Sequence, residues 1–325
     1  MNKKRLVKKL LYAAITIFFV LVFNYFLFRI LPGDILSMLS RSGKTTPEMV
    51  ANIREMYGLD LPWYQQFFVY LENLFTGDLG TSFIYKKPVA EVIGSRILPT
   101  VILLGVAEVL AIVVGIVFGI VSAWKRGKAI DTGLLSTSLL LYSMPTFWLG
   151  MMLILIFCVN LRLFPINGMV TPGRVFADTW AYINDVVRHM ILPMACMALV
   201  MIGEYAITMR STMIDVLSED YITTAKAKGF SNGYVLRRHA MPNAMLPMIT
   251  LIAINLGLIV GGAIQIETVF SWPGLGNLMY GALVNRDYPL LQGVFLLTTV
   301  TVILANLLSD ILYEVVDPRV KSMGD

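Results

Sequence analysis

Reactive and metal-binding side chains are scarce in this sequence. Its 325 residues include only two cysteines and two histidines. Cys158 and Cys196 lie in separate apolar stretches without C-x-x-C spacing, so they read as buried, unpaired core residues. His189 and His239 are too few and too scattered for a metal site. No G-x-x-x-x-G-K-[ST] phosphate loop occurs, which leaves nucleotide binding to another chain. No nucleophile has a histidine or carboxylate paired with it in sequence. Charge is sparse too, at 14% of residues against 57% hydrophobic, with a mean hydropathy of +0.73. These absences leave an all-α integral membrane protein, with no catalytic site, cofactor or metal of its own. The net charge of +5 does not point to nucleic acid, because the basic residues gather at the ends of apolar runs.

Lys3, Lys4, Arg5, Lys8 and Lys9 precede an apolar run over 10–31. A hydrocarbon core of about 30 Å takes about 20 helical residues, so this run can span it. It is longer than the apolar part of a signal peptide, and no small-x-small cleavage site follows. Five further runs, at 100–123, 132–160, 190–212, 246–266 and 290–312, bring the expected transmembrane helices to six. Pro145 and Pro193 predict kinks in the third and fourth. The long polar stretch 32–96 holds a helix start at Thr46-Pro47-Glu48, ending near Gly58. A second, aromatic-rich helix runs from Pro62 to about Phe75 and stops at Gly77-Asp78-Leu79-Gly80. Its Trp63, Tyr64, Phe67, Phe68 and Tyr70 suit a lid on the outer membrane face.

Lysine and arginine set the orientation. With the N-terminus inside, the cytoplasmic segments collect the N-terminal cluster, Lys125, Arg126, Lys128, Arg210, Lys226, Lys228, Arg237, Arg238, Arg319 and Lys321. The short outer loops hold only Arg162, Arg174, Arg188 and Arg286. Both termini are therefore expected in the cytoplasm. The organisation is a first transmembrane helix over 1–31 and an extracytoplasmic helical region over 32–96. A five-helix core over 97–316 then contains a cytoplasmic loop at 213–245, and a cytoplasmic tail occupies 317–325.

The most distinctive stretch is 220–242, built as helix, glycine break, helix. Tyr221 to Lys228 carries Ala225 and Ala227, with Lys226 and Lys228 in its last turn, and Gly229 stands where a left-handed cap belongs. A second short helix, from Tyr234 to Ala240 with Arg237 and Arg238 on it, is expected to close at Pro242. By composition alone this is a solvated hairpin. Small side chains would also let a partner approach the backbone closely. Glu108 and Glu204 fall inside apolar runs, where an ionised carboxylate is costly unless paired or wet. A proton relay is the sharp reading, and a carboxylate facing a water-filled interior, with Glu204 in reach of Arg210, is the bland one. Asn255, Gln265 and Glu267 on the fifth run are pathway candidates, with helix–helix hydrogen bonding as the alternative.

Several motifs resemble the dipeptide/oligopeptide/nickel permeases of ABC importers. Ala225-x-Ala227-x-Gly229, with Asp220-Tyr221 before it and His239-Ala240-x-Pro242-Asn243 after it, is similar to the loop that docks in a cleft of the ATPase. Thr224 stands where that motif has its glutamate. Leu31-Pro32-Gly33-Asp34, Tyr57-Gly58-Leu59-Asp60-x-Pro62, Gly77-Asp78-Leu79-Gly80-x-Ser82 and Pro145-x-Phe147-Trp148-Leu149-Gly150 follow in the family's order. Ile266 to Gly276 with Arg286-Asp287-Tyr288-Pro289 completes the likeness. The resemblance implies a type I importer permease fold in a bacterial cytoplasmic membrane. It also implies a second homologous permease forming a heterodimer, two ATPase subunits holding ATP and magnesium, and an extracytoplasmic solute-binding protein. Tyr221, Ala225, Lys226, Ala227, Lys228, Gly229 and Arg237 would form the coupling loop. Trp272, Pro273, Gly274, Leu275 and Gly276 would form an outer loop toward the binding protein or the substrate, or else merely end a span with an interfacial tryptophan. Peptides are the expected cargo, with nickel or another small solute as alternatives. An ion-coupled transporter or channel is the rival from another class.

Overall fold

The computed structural model describes residues 3–30, 61–259 and 262–316. The helix start at Thr46-Pro47-Glu48 and the 317–325 tail fall outside them. Helix α1 (Lys3–Ile30) begins within the basic cluster and carries the first apolar run. Helix α2 (Trp63–Thr76) opens after Pro62 and stops at Gly77, whose φ of 80° is left-handed. It packs on α1 through Tyr25, whose ring lies 5.1 Å from that of Phe67 and whose hydroxyl donates to the Trp63 carbonyl at 2.7 Å. Trp63, Tyr64 and Phe68 face outward.

Helix α3 (Val89–Trp124) starts well before the expected 100–123 span, and its first turns project beyond it. The third apolar run is not one kinked helix. It divides into α4 (Ala129–Ser143) and α5 (Thr146–Asn160), bent by 100°. Met144 between them is extended, with φ −73° and ψ 130°. Proline excludes the residue before it from the helical region and supplies no N–H of its own, so Pro145 produces a corner. Helix α6 (Thr179–Leu217) runs uninterrupted through Pro193 and is far longer than 190–212. Asp178 caps its start by accepting from the Ala181 N–H at 2.7 Å.

Helix α7 (Asp220–Ala227) is followed by α8 (Asn232–Ile259), which corrects two expectations. Pro242 does not close a short helix. The chain runs on through it, because Leu236–Ala240 is wound as a wider π-helix and relieves the clash of the proline ring with the preceding turn. The fifth span also ends earlier than 266: Gly262 turns with φ 75°, and α9 (Ile264–Val269) is a separate short helix. Helices α10 (Leu275–Val284) and α11 (Tyr288–Val316) complete the described chain. Among the described residues, α1, α3, α6, α8 and α11 are long and apolar enough to cross a membrane, and the bent α4–α5 pair makes six if counted as one span.

Glycines set the closest approaches. Gly115 and Gly119 share one face of α3, and a Cβ on either would fall 2.5 Å from a Cβ of α6, that of Tyr205 or Met209. Gly257 of α8 meets Ala305 of α11 in the same way, at 2.1 Å. Cys158 and Cys196 are both buried and free.

Candidate functional site

The α7–α8 hairpin has two unlike sides. Ile222 and Ala225 of α7 are buried in one apolar cluster with Met209 and Met213 of α6 and Val235, Ala240 and Ala244 of α8, and half-buried Tyr221 packs against it. The smallness of Ala225 therefore serves packing within the chain, not the approach of a partner. The other side is open: Lys226, Ala227, Lys228, Gly229 and Arg237 are all exposed. Gly229 has φ 83° and its N–H donates to the Lys226 carbonyl at 3.0 Å, which ends α7 as expected. Ser231 then caps α8 by accepting from the Tyr234 N–H at 3.4 Å.

An aromatic cluster on the same surface was not anticipated from the sequence. Phe230 stacks on Tyr234 at 4.9 Å, and His239 lies 5.7 Å from Tyr234. The π-helical winding is what brings Tyr234 and His239 together, since it pairs residues five apart. Phe230 and Tyr234 remain 44% and 47% exposed, so the hairpin presents stacked rings beside its cations.

Beneath the hairpin a charged clamp joins three helices. Arg210 of α6 donates to both carboxylate oxygens of Asp131 of α4, from Nε at 2.7 Å and from Nη2 at 2.9 Å. Asp131 also accepts from the Ser122 hydroxyl of α3 at 2.6 Å and from the Gly127 N–H at 2.9 Å. Arg210 is thus committed to Asp131 and not to Glu204.

The three polar pathway candidates separate. Asn255 of α8 donates to the Tyr205 hydroxyl at 3.1 Å, and that hydroxyl donates to Glu108 Oε1. Glu108 is fully buried and its Oε2 has no partner. A three-helix hydrogen-bonded network therefore runs through α3, α6 and α8. Gln265 is exposed on α9. Glu267, also on α9 rather than on the fifth span, is fully buried. It accepts from the Thr100 hydroxyl at 2.8 Å and from the Asn277 N–H at 3.0 Å. Burial lifts its carboxyl above the ordinary carboxylate range despite those donors. Its task is to hold the next turn, not to line a path.

That turn is interior. Trp272 is fully buried, with Nε1 donating to the Pro99 carbonyl at 3.0 Å. Gly274, Leu275 and Gly276 are buried as well. A Cβ at Gly274 would fall 2.4 Å from the Glu267 carboxylate. Trp272 is thus neither an interfacial anchor nor a face for a docking protein, and of this turn only Ser271 and Pro273 have appreciable exposure. The sequence hides this because Trp272 finds its partner on the distant α3.

The comparisons with known proteins agree with this architecture. The family model described as binding-protein-dependent transport system inner membrane component matches residues 115–322, and the model of the N-terminal part of such components matches residues 3–105. The dipeptide transport system permease protein DppB of Escherichia coli (strain K12) is 40% identical over 307 residues, covering 90% of this chain and 91% of its own. The oligopeptide transport system permease protein AppB of Bacillus subtilis (strain 168) is 36% identical over 301 residues, with coverages of 92% and 93%. A chain of the inward-facing MetNI methionine ABC transporter superposes with a TM-score of 0.56 at 15% identity, covering 70% of this chain and 96% of that one.

Proposed function

The chain belongs to the binding-protein-dependent transport system inner membrane components, and from that premise we propose that it forms one half of the membrane pathway of a peptide importer. As a family member it is a multi-pass membrane permease subunit of an ABC importer and carries no catalytic site. Peptide cargo is supported by the names of the relatives, which transport dipeptides and oligopeptides. A second permease, two ATPases binding ATP and magnesium, and an extracytoplasmic binding protein complete the assembly. The membrane is the bacterial cytoplasmic one, and the lysine and arginine distribution puts both termini and the α7–α8 hairpin inside.

The observation that carries the mechanism is the two-sided hairpin. Its exposed side offers cations and stacked rings to an ATPase surface. Its buried side shares an apolar cluster with α6 and α8. Closure of the ATPases would move the hairpin, and the shared packing would carry α6 and α8 with it. Alternating access to a central pathway is the result.

Gly229→Asp tests this reading, because it puts a carboxylate at the exposed turn where nothing lies within 4 Å of a Cβ. The variant should reach the membrane at normal levels but lose ATPase co-purification in mild detergent and lose peptide uptake. Gly229→Asn, which tolerates left-handed backbone without adding charge, should keep part of both. Unchanged uptake by Gly229→Asp would overturn the assignment of the hairpin.

A further inference from the structure

Helix α2 lies across the end of α1 rather than along it. The Tyr25 ring is 5.1 Å from that of Phe67 and 5.6 Å from that of Tyr70, and its hydroxyl donates to the Trp63 carbonyl. Trp63 also meets Phe26, ring to ring at 6.2 Å. Asn24 Nδ2 donates to the Tyr70 hydroxyl at 3.3 Å and to the Gln292 carbonyl of α11 at 3.5 Å. At a rise of 1.5 Å per residue, Trp63 to Tyr70 covers about 10 Å of α2, while Asn24 to Phe26 covers about 3 Å of α1. The first two turns of α2 therefore stay at one depth. That depth is the end of the α1 span, which runs to Phe28, and the start of the α11 span at Tyr288.

Handedness gives the directions of the faces. At about 100° per residue, Trp63, Phe67 and Tyr70 share the face against α1. Tyr64, Phe68 and Phe75 form a stripe about 120° further round, 49%, 67% and 82% exposed. Gln65, Gln66, Glu72, Asn73 and Thr76 occupy the arc beyond it. On α1, Phe26, Tyr25 and Asn24 succeed one another by the same angle. By touching them in that order, α2 passes round α1 clockwise as seen from the Ile30 end. Looking along α2 with that end upward, α1 is on the right. A right-handed helix turns clockwise in this view, so the aromatic stripe points down toward the middle of the α1 span. The polar arc turns sideways and up.

We propose that α2 is an in-plane helix of the membrane–water interface, with Tyr64, Phe68 and Phe75 set into the acyl–headgroup boundary beside α1. The exposed face of the α1 span, with Ile15, Phe19, Phe23 and Phe26, runs directly into this stripe, because Phe26 touches Trp63. A soluble protein approaching from above meets the polar arc and leaves the downward stripe bare. Lipid covers it, and tyrosine and tryptophan are the side chains that suit that depth. The leaflet is the outer one by the orientation given under the proposed function.

The test is bimane fluorescence of single-cysteine variants in the intact complex, reconstituted with phospholipid brominated on its acyl chains. Cys158 and Cys196 are buried, and unsubstituted protein carried through the labelling gives the background. Bimane at Tyr64→Cys and Phe68→Cys should emit at shorter wavelength and lose intensity to the brominated lipid. At Asn73→Cys it should emit as in water and lose intensity to iodide instead. No residue of α2 is buried, so an unchanged elution profile checks that each variant folds. Equal lipid quenching at Phe68→Cys and Asn73→Cys, or quenching of Phe68→Cys by iodide alone, overturns the proposal. Protection of Phe68→Cys from both quenchers also overturns it, by giving the stripe to a protein surface. Labelling of Asn73→Cys from the cytoplasmic side alone, with lipid quenching at Phe68→Cys intact, strikes only at the orientation, because the direction of the stripe is fixed relative to α1.

Discussion

Gly276 and Gly281 lie on the same short helix, α10, under opposite constraints. A Cβ at Gly276 would fall 2.7 Å from the Ile264 nitrogen and 2.8 Å from its Cα, backbone atoms of α9 that cannot swing away. At Gly281 nothing lies within 4 Å. Gly276→Ala should therefore cost about 1–3 kcal/mol by overpacking. Gly281→Ala should gain roughly 0.5–1 kcal/mol, since alanine restricts the unfolded chain and favours the helix. Thermal unfolding midpoints in detergent read both changes, and midpoints that move together would contradict the α9–α10 contact. The residues around this contact are also where sequence reasoning failed most clearly. Glu267 sits in an apolar run, and hydropathy gives such a residue to a water-filled path or to an internal partner with equal right. The decision comes from Thr100 of α3, which accepts from the Leu275 N–H and donates to Glu267, both at 2.8 Å. No local pattern announces that relay.

The chemistry of individual helix breaks was legible, and their extent was not. Gly77 and Gly229 end helices in left-handed conformations, as glycine after a helical stretch leads one to expect. Pro145 was visible as a defect, but the 100° corner depends on α5 packing against α6 and α9. Helix α6 outran its hydropathy signal because its first turns carry Asn184, Asp185, Arg188 and His189, which are polar without being loop. The Asp131–Arg210 clamp escaped notice for another reason: Arg210 had already been given to topology. Asp131 is 5% exposed, so Arg210→Ala strands a buried carboxylate, at a cost on the order of 3 kcal/mol. Asp131→Asn should cost less, because it removes the buried charge and its one remaining oxygen can still accept from either the Ser122 hydroxyl or the Gly127 N–H. Removing both charges should cost less than the sum of the single losses. Unfolding midpoints across the four-protein cycle measure the coupling, and strict additivity would mean that the pair acts separately.

Across the whole molecule, the question is which element supplies the driving force. An ion-coupled transporter needs a carboxylate that changes its protonation during the cycle, and Glu108 is the buried candidate, with one unpartnered oxygen. Its surroundings argue for a different role. The Tyr205 hydroxyl joins it to Asn255 and so ties together α3, α6 and α8, all of which contribute to the apolar cluster that holds the hairpin. Glutamine keeps the acceptor that Tyr205 needs and removes the titration. Glu108→Gln should therefore leave most ATP-dependent peptide uptake by the reconstituted complex intact, with no change in its pH dependence. Glu108→Leu should be worse than Glu108→Gln, because it deprives the buried Tyr205 hydroxyl of its acceptor, at about 1–3 kcal/mol. If Glu108→Gln abolishes uptake while the complex stays assembled and hydrolyses ATP, proton movement through Glu108 is part of the transport step, and the hairpin alone does not drive it.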